Sequence, residues 1–270
     1  MRIKLTHNYS KKSLAVFTKL EELLLAEDFQ LVDEQPDIII TVGGDGTLLS
    51  AFEKHQDLID SVRFIGLHTG HLGFYTDWRE YDLERLIEGL KKDTGEYIEY
   101  PLLDVTVFCT QGQEPRHYLA LNESTIKRHD STLVCDVGIR DELFERFRGD
   151  GLCVSTPTGS TGLNKSLGGA VLHPRLKALQ LTEMASLNNR VFRTLSSPLV
   201  IAPDEWINLK PINTDSFMLS IDQNVYHEHH VKSVQYRISD KTIRFARYEH
   251  THFWDRVEDA FLGAKKRHES

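Results

Sequence analysis

Apolar positions in the first hundred residues switch between two spacings. Ile3 and Leu5 alternate with polar neighbours and predict a short strand, whereas Leu14, Phe17, Leu20, Leu24 and Leu25 mark one face of a helix from about Ser10 to Ala26. Phe29 to Val32 and Ile38 to Val42 read as strands, Thr47 to His55 as a helix, Arg63 to Leu67 as a strand and Tyr81 to Lys92 as a helix. Strand and helix alternating in this way predict a doubly wound, Rossmann-like α/β domain over residues 1–98. Beyond Gly95 the texture changes to short β-rich runs: Leu103 to Cys109, Tyr118 to Leu121, Thr132 to Ile139, Phe217 to Ile221, Val234 to Ile238 and Thr242 to Ala246. Residues 99–270 are therefore expected to form a mainly β, β-sandwich-like domain, with helices around Gly159 to Leu167 and Leu176 to Leu187. Phe253, Val257 and Phe261 recur at i, i+4, i+8 and predict a short amphipathic helix near the end, expected to pack back on the N-terminal domain.

Charge sharpens this picture. The 270 residues carry 40 acidic against 32 basic side chains, a balance that argues against a nucleic acid as partner and requires any anion site to be local. Cys109, Cys135 and Cys153 are odd in number and widely spaced, so neither a disulfide framework nor a zinc knuckle is indicated, and buried reduced thiols are expected. No signal peptide and no run of about 20 apolar residues is present, which predicts no membrane association and a cytoplasmic location.

The chemistry concentrates in two segments. In Thr41-Val42-Gly43-Gly44-Asp45-Gly46-Thr47 a buried strand breaks into a glycine turn, whose bare N–H groups and following helix start suit a phosphate. Asp45 repels phosphate, so its presence is better explained by proton removal from a hydroxyl or by holding a metal; a plain tight turn is the bland alternative. The run fits neither G-x-G-x-x-G nor a Walker A loop. A second glycine turn, His68 to Tyr75, also follows a strand, where ligands of α/β sheets sit. Phe74 and Tyr75 there are either core aromatics or pocket wall, the wall being favoured. The other dense segment runs from Gly149 to Gly169, with Thr158, Ser160, Thr161 and Ser166 able to bond a sugar or base and Pro157 and Gly159 shaping the turn; a capped loop is the competing reading. Upstream, Asn122 offers an amide edge for adenine and Glu123 a carboxylate for ribose hydroxyls. The histidines His227, His229, His230, His250 and His252 lack the ligand spacing of a metal site and read as exposed loop residues, so no metal site is assigned.

Together these motifs resemble the NAD kinases of the compact bacterial type. Gly43-Gly44-Asp45-Gly46-Thr47, Asn122-Glu123, and Gly149-Asp150-Gly151 running into Ser155 to Gly162 match the family's three signatures in order. Diacylglycerol and sphingosine kinases share the first motif, which leaves a lipid kinase as the enzyme alternative; the later motifs favour a dinucleotide. A dinucleotide sensor without turnover is a third reading.

The resemblance implies transfer of the ATP γ-phosphoryl group to the 2′-hydroxyl of the adenosine ribose of NAD, a divalent cation, magnesium, supplied with ATP, and a homotetramer. It implies Asp45 as general base, Gly46 along the substrate pyrophosphate, Gly44 as a substrate contact, and Asn122 and Glu123 on the adenosine. Asp150 is implied at the nicotinamide end, from a neighbouring subunit, and Thr161, Gly162, Leu163, Asn164 and Ser166 over the dinucleotide. Thr158, Ala185, Asn189 on a helix, and Gln223 in the turn after a strand complete the implied contacts, a helix C-terminal cap being the alternative for Asn189. Arg148 is the side-chain cation nearest for a phosphate, or an ion-pair partner of Glu145 or Asp150. The sequence departs from the family at Gly162-Leu163, where Ala-Tyr is common, and at Ser50, where many members are basic. Loss of the aromatic platform predicts weaker nucleotide binding, by about 1 kcal/mol.

Overall fold

The computed structural model describes residues 1–70, 72–110, 112–128, 130–212, 214, 216–248 and 252–263. In chain order the first elements are β1 (Arg2–His7), α1 (Lys11–Ala26), β2 (Gln30–Leu31), β3 (Ile38–Gly43), α2 (Asp45–Lys54), β4 (Arg63–His68), β5 (Trp78–Arg79) and α3 (Leu83–Lys91). There follow β6 (Tyr97–Cys109), β7 (Arg116–Ala120), β8 (Glu123–Lys127), β9 (Leu133–Ile139), β10 (Glu142–Gly149), β11 (Gly151–Ser155), α4 (Leu163–Ser166) and β12 (Leu179–Met184). The last are β13 (Leu199–Ile201), β14 (Ile207–Pro211), β15 (Ser216–Ile221), β16 (Asn224–His229), β17 (Val231–Ala246) and α5 (Phe253–Phe261).

The chain divides into two compact units, Pro101–Lys241 and a first unit made of Met1–Tyr100 with the segment that begins at Thr242. The division expected from the sequence puts Thr242 to Ala246 in the β-rich domain after residue 98 and packs only the C-terminal helix back on the first. The last residues of β17 instead enter the first unit's sheet, where Phe245 lies opposite Phe64 of β4 in parallel register.

The first unit is a parallel sheet in the order β2-β1-β3-β4. Every residue of β3 is buried, as a strand covered on both faces requires. Because β1 is followed by β2 on one side and β3 on the other, the sheet changes direction between β1 and β3, which opens a crevice beyond their carboxyl ends. Helix α2 begins at Asp45 rather than near Thr47, because Gly44 is the N-cap: the Thr47 hydroxyl accepts the Gly44 N–H at 3.3 Å. Gly66 in β4 lies under the loop that follows, where a Cβ would stand 2.2 Å from the Tyr75 carbonyl oxygen.

The second unit is a β-sandwich. One sheet is antiparallel in the order β13-β12-β11-β8-β15-β16; the other contains β10-β9-β14-β17, with β6 pairing β17 and β7. Ile126, Leu152, Leu181 and Leu219 from the first meet Cys135, Phe147, Leu209 and Tyr236 from the second in one buried cluster. The α/β plus β-sandwich class read from the sequence is the observed one.

Three expectations fail locally. Leu176 to Leu187 is not a helix but contains strand β12, in which Leu179 and Leu181 point into the sandwich. Gln180 and Thr182 point the other way, satisfied by the Ala170 backbone and by Asn164; the period is two, and the leucine spacing hid it. The helix expected over Gly159 to Leu167 is a 3₁₀ turn, Thr158–Thr161, and the single turn α4, interrupted where Gly162 leaves helical geometry at ψ −134°. His227 and His229 are exposed but belong to strand β16, while His71 and His250 lie outside the described residues. Cys135 and Cys153 are buried free thiols; Cys109 is only half-buried.

Phe147 is fully buried between the two sheets. Phe147→Ala is expected to cost about 3–5 kcal/mol, read as a lowered urea midpoint at unchanged slope.

Candidate active site

In the first unit the residues of the glycine turn and of the second turn meet around one carboxylate. Asp45 is half-buried, and its two oxygens accept the backbone N–H groups of Phe74 at 2.8 Å and Tyr75 at 3.0 Å. Gly73 comes so close that a Cβ there would stand 2.1 Å from Asp45 Oδ1. The carboxylate is thereby fixed in position while keeping lone pairs for a further partner. Gly43 is equally confined, with a Cβ position 2.1 Å from Thr47 Oγ1, whereas nothing approaches that of Gly44 within 4 Å. Gly44 and exposed Gly46 thus leave the start of α2 open for an anion.

The crevice between β1 and β3 continues from this turn as a concavity of about 650 Å³, lined by Asn8, Tyr9, Gly44, Gly46, Thr47, Ser50 and Lys54 among others. Tyr9 is almost wholly exposed at its rim; neither it nor Lys54 carries a sequence motif. The two aromatics of the second turn part company. Tyr75 is buried and stacks on Phe245 at 6.0 Å, so it is a core residue, while half-buried Phe74 lies between Phe253 and Phe261. His68 is buried at the end of β4 with Nδ1 against the Gly70 carbonyl oxygen at 2.9 Å; burial lowers its pKa and keeps the ring neutral.

In the second unit Asn122 and Glu123 sit at the start of β8, held by an acid that no motif announced. Asp222, at φ 50° in the two-residue turn between β15 and β16, accepts the N–H groups of Leu121 at 2.8 Å, Asn122 at 2.7 Å and Glu123 at 3.2 Å. On the other side, Thr156 and Thr158 donate their hydroxyls to the Leu121 carbonyl oxygen at 2.6 and 3.0 Å. Gly159 passes so near that a Cβ would stand 2.0 Å from the Asn122 carbonyl oxygen. Thr158 is therefore a buried brace.

Glu123 Oε2 is sealed from solvent without a hydrogen-bond partner among the described residues, and faces the Cβ position of exposed Gly162 at 3.1 Å. Burial, reinforced by Asp222, pushes the Glu123 pKa up to about 8. A carboxyl neutral at pH 7 can both donate to and accept from a sugar hydroxyl. Asn164 is fully buried, its amide bound to the Ser160 carbonyl oxygen and the Thr182 hydroxyl. Thr161 turns its hydroxyl to the Thr158 carbonyl oxygen at 3.1 Å. Leu163 is half-buried, and Ser166 and Gln223 are exposed.

The remaining residues are not brought to this cluster. Glu123 pairs with Ser155, at one end of β11, whereas Asp150 lies just before Gly151 at the other, roughly 17 Å away at the rise of a strand. Arg148 lays its guanidinium over the Phe192 ring at 4.2 Å, and exposed Ala185 adopts φ 44° where its carbonyl oxygen crowds Gly149. Asn189 is on no helix: its Oδ1 accepts the N–H groups of Val191 and Phe192 at 2.8 and 2.9 Å, an Asx-type turn.

Comparison with known proteins gives the family. The ATP-NAD kinase N-terminal domain matches residues 6–97 and the ATP-NAD kinase C-terminal domain residues 121–247. The chain belongs to the NAD kinase family. It is 56% identical over 266 residues to the NAD kinase of Lactobacillus gasseri, covering 98% of this chain and 99% of that protein. It is 55% identical over 263 residues to that of Enterococcus faecalis, covering 97% and 99%. Among solved structures, a yeast NADH kinase complexed with NADH has the same fold at a TM-score of 0.84 and 18% identity, over 98% of this chain and 88% of that one. An NAD kinase from Archaeoglobus fulgidus in complex with ATP follows at 0.75 and 22%, over 97% and 98%.

The raised Glu123 pKa has a stability consequence within this NAD kinase fold. The folded carboxyl keeps its proton up to about 8 while the unfolded one releases it near 4.5, so stability falls as pH rises through that window. Glu123→Gln is expected to abolish this component, so that the variant gains on the wild type between pH 5 and 8 in urea melts. The Asp222 clasp predicts a binding defect: Asp222→Ala removes the acceptor for three N–H groups, and the KM for NAD is expected to rise about 10-fold or more.

Proposed function

We propose that this protein is an ATP-dependent NAD kinase that phosphorylates the 2′-hydroxyl of the adenosine ribose of NAD to give NADP, with Asp45 as the general base. The observation that carries the role of Asp45 is its fixation by the Phe74 and Tyr75 N–H groups at the opening of α2. A ribose hydroxyl is a poor nucleophile at neutral pH, and a carboxylate held about 3 Å from it assists by taking its proton as the bond to phosphorus forms, a contribution of about 10²- to 10⁴-fold. The remainder of phosphoryl transfer is alignment and charge neutralisation. The glycine turn at the start of α2 serves the phosphates, and Lys54 and Tyr9 in the adjoining concavity suit a nucleoside polyphosphate.

Asn122 and Glu123 hold the adenosine part, Glu123 as a neutral carboxyl toward the ribose. Thr161, Gly162, Leu163 and Ser166 cover the dinucleotide, and Gln223 borders it. The placement of Asp150 and Ala185 at the far end of β11 supports the reading that they serve a neighbouring copy's site, within a homotetramer built as a dimer of dimers. The divalent cation, magnesium, is assigned to ATP, with which it would be supplied. Bound there, it would supply charge neutralisation at the transferring phosphoryl group. No described helix is long and apolar enough to cross a membrane.

The decisive assay is NADP formation from NAD and Mg-ATP, read through an NADP-specific dehydrogenase. Asp45→Asn is expected to lower kcat at least 100-fold with NAD binding retained by calorimetry. Binding of NAD by the wild type without turnover would replace the kinase with a dinucleotide sensor.

A further inference from the structure

We infer that Arg256, on the C-terminal helix, is a positioning residue for Asp45. Arg256 is 4% exposed, an unusual state for a guanidinium. It donates to the Gly73 carbonyl oxygen at 2.8 Å and the Thr76 carbonyl oxygen at 3.2 Å, and pairs with the Asp77 carboxylate. These acceptors bracket the stretch Gly73 to Asp77, which contains both N–H groups that hold Asp45 and the glycine packed against it. The same loop is braced from within by the Thr76 hydroxyl, which accepts the Gly73 N–H at 3.1 Å. From outside, Phe253 and Phe261 of α5 bracket Phe74.

The planar fork of an arginine can bind two carbonyl oxygens and a carboxylate at once, which a lysine ammonium does not reproduce. The bonds of Arg256 to Gly73, Thr76 and Asp77 lie on either side of the Phe74 and Tyr75 N–H groups that hold Asp45, so its effect passes through the loop. The His252 ring, which accepts the Trp254 N–H, caps the helix that carries it. The C-terminal segment is in this way part of the catalytic carboxylate's support, although it follows Asp45 by more than two hundred residues.

The inference rests on the reading of Asp45 as the base, and its test separates the two. Amide exchange at Phe74 and Tyr75, followed by NMR, reports the clamp independently of chemistry: Arg256→Gln is expected to accelerate it at least 10-fold. In the NADP-forming assay the same variant is expected to lower kcat about 100-fold, the cost of a misplacement near 1 Å, with KM for NAD and ATP changed less than 3-fold. In an Asp45→Asn background Arg256→Gln is expected to change the residual rate by less than 3-fold, because the group it positions is already disabled. Arg256→Ala should recover part of its kcat with added guanidinium, and Arg256→Lys should be intermediate. If Arg256→Gln does not fold, Asp77→Asn loosens the same clamp and is read in the same way. Unchanged exchange and kcat in a folded variant would overturn the inference, as would equal kcat losses in the presence and absence of Asp45. Retention of full activity by Asp45→Asn alone would instead overturn the base, while the exchange result would still decide whether Arg256 fixes the loop.

Discussion

A carboxylate that accepts several backbone N–H groups is the constraint on which both units' functional loops depend. Asp45 accepts two in the first unit and Asp222 three in the second. Each such bond, charge-assisted and partly shielded, is worth about 1.5–3 kcal/mol, and two or three converging on one group leave a loop little freedom. The two clasps act in opposite senses. Asp45, the proposed base, is held by its loop; Asp222 holds the loop that carries Asn122 and Glu123.

Clasps of this kind need close approach, which explains where the glycines stand. Gly73 against Asp45, Gly66 under Tyr75 and Gly159 against Asn122 all occupy places where a Cβ would lie 2.0–2.2 Å from a neighbouring oxygen. Gly44 differs, because nothing lies within 4 Å of where its Cβ would stand at the start of α2. A glycine-rich motif therefore mixes two requirements, packing in some positions and access in others.

Electrostatics divides the acids by environment. Asp45 and Asp222 have their charge met by N–H groups, whereas Glu123 has a buried oxygen with no partner among the described residues and keeps its proton up to about 8. A neutral acid supplies a donor that an ionised one lacks, and the cost is carried by the surrounding β-sandwich, whose apolar core is continuous across both sheets.

The sequence by itself determined the family, the fold class and the identity of the polar motifs, because period-two and period-3.6 patterning and contiguous motifs are local properties of the chain. Asp45, Asn122 and Glu123 were legible as chemistry from their neighbours alone. What failed locally failed for a physical reason: in β12 two leucines at period two sat within a wider leucine spacing, and Gln180 and Thr182 found partners that only the fold supplies. Tertiary structure alone decided that Tyr75 is a core stack and Asn164 a sealed brace. It also decided that Asp222 and Arg256 support residues about 100 and 180 positions away. Such long-range hydrogen bonds leave no periodic trace in a sequence, since any acid in a turn or arginine on a helix reads as solvated surface until the chain has folded around it.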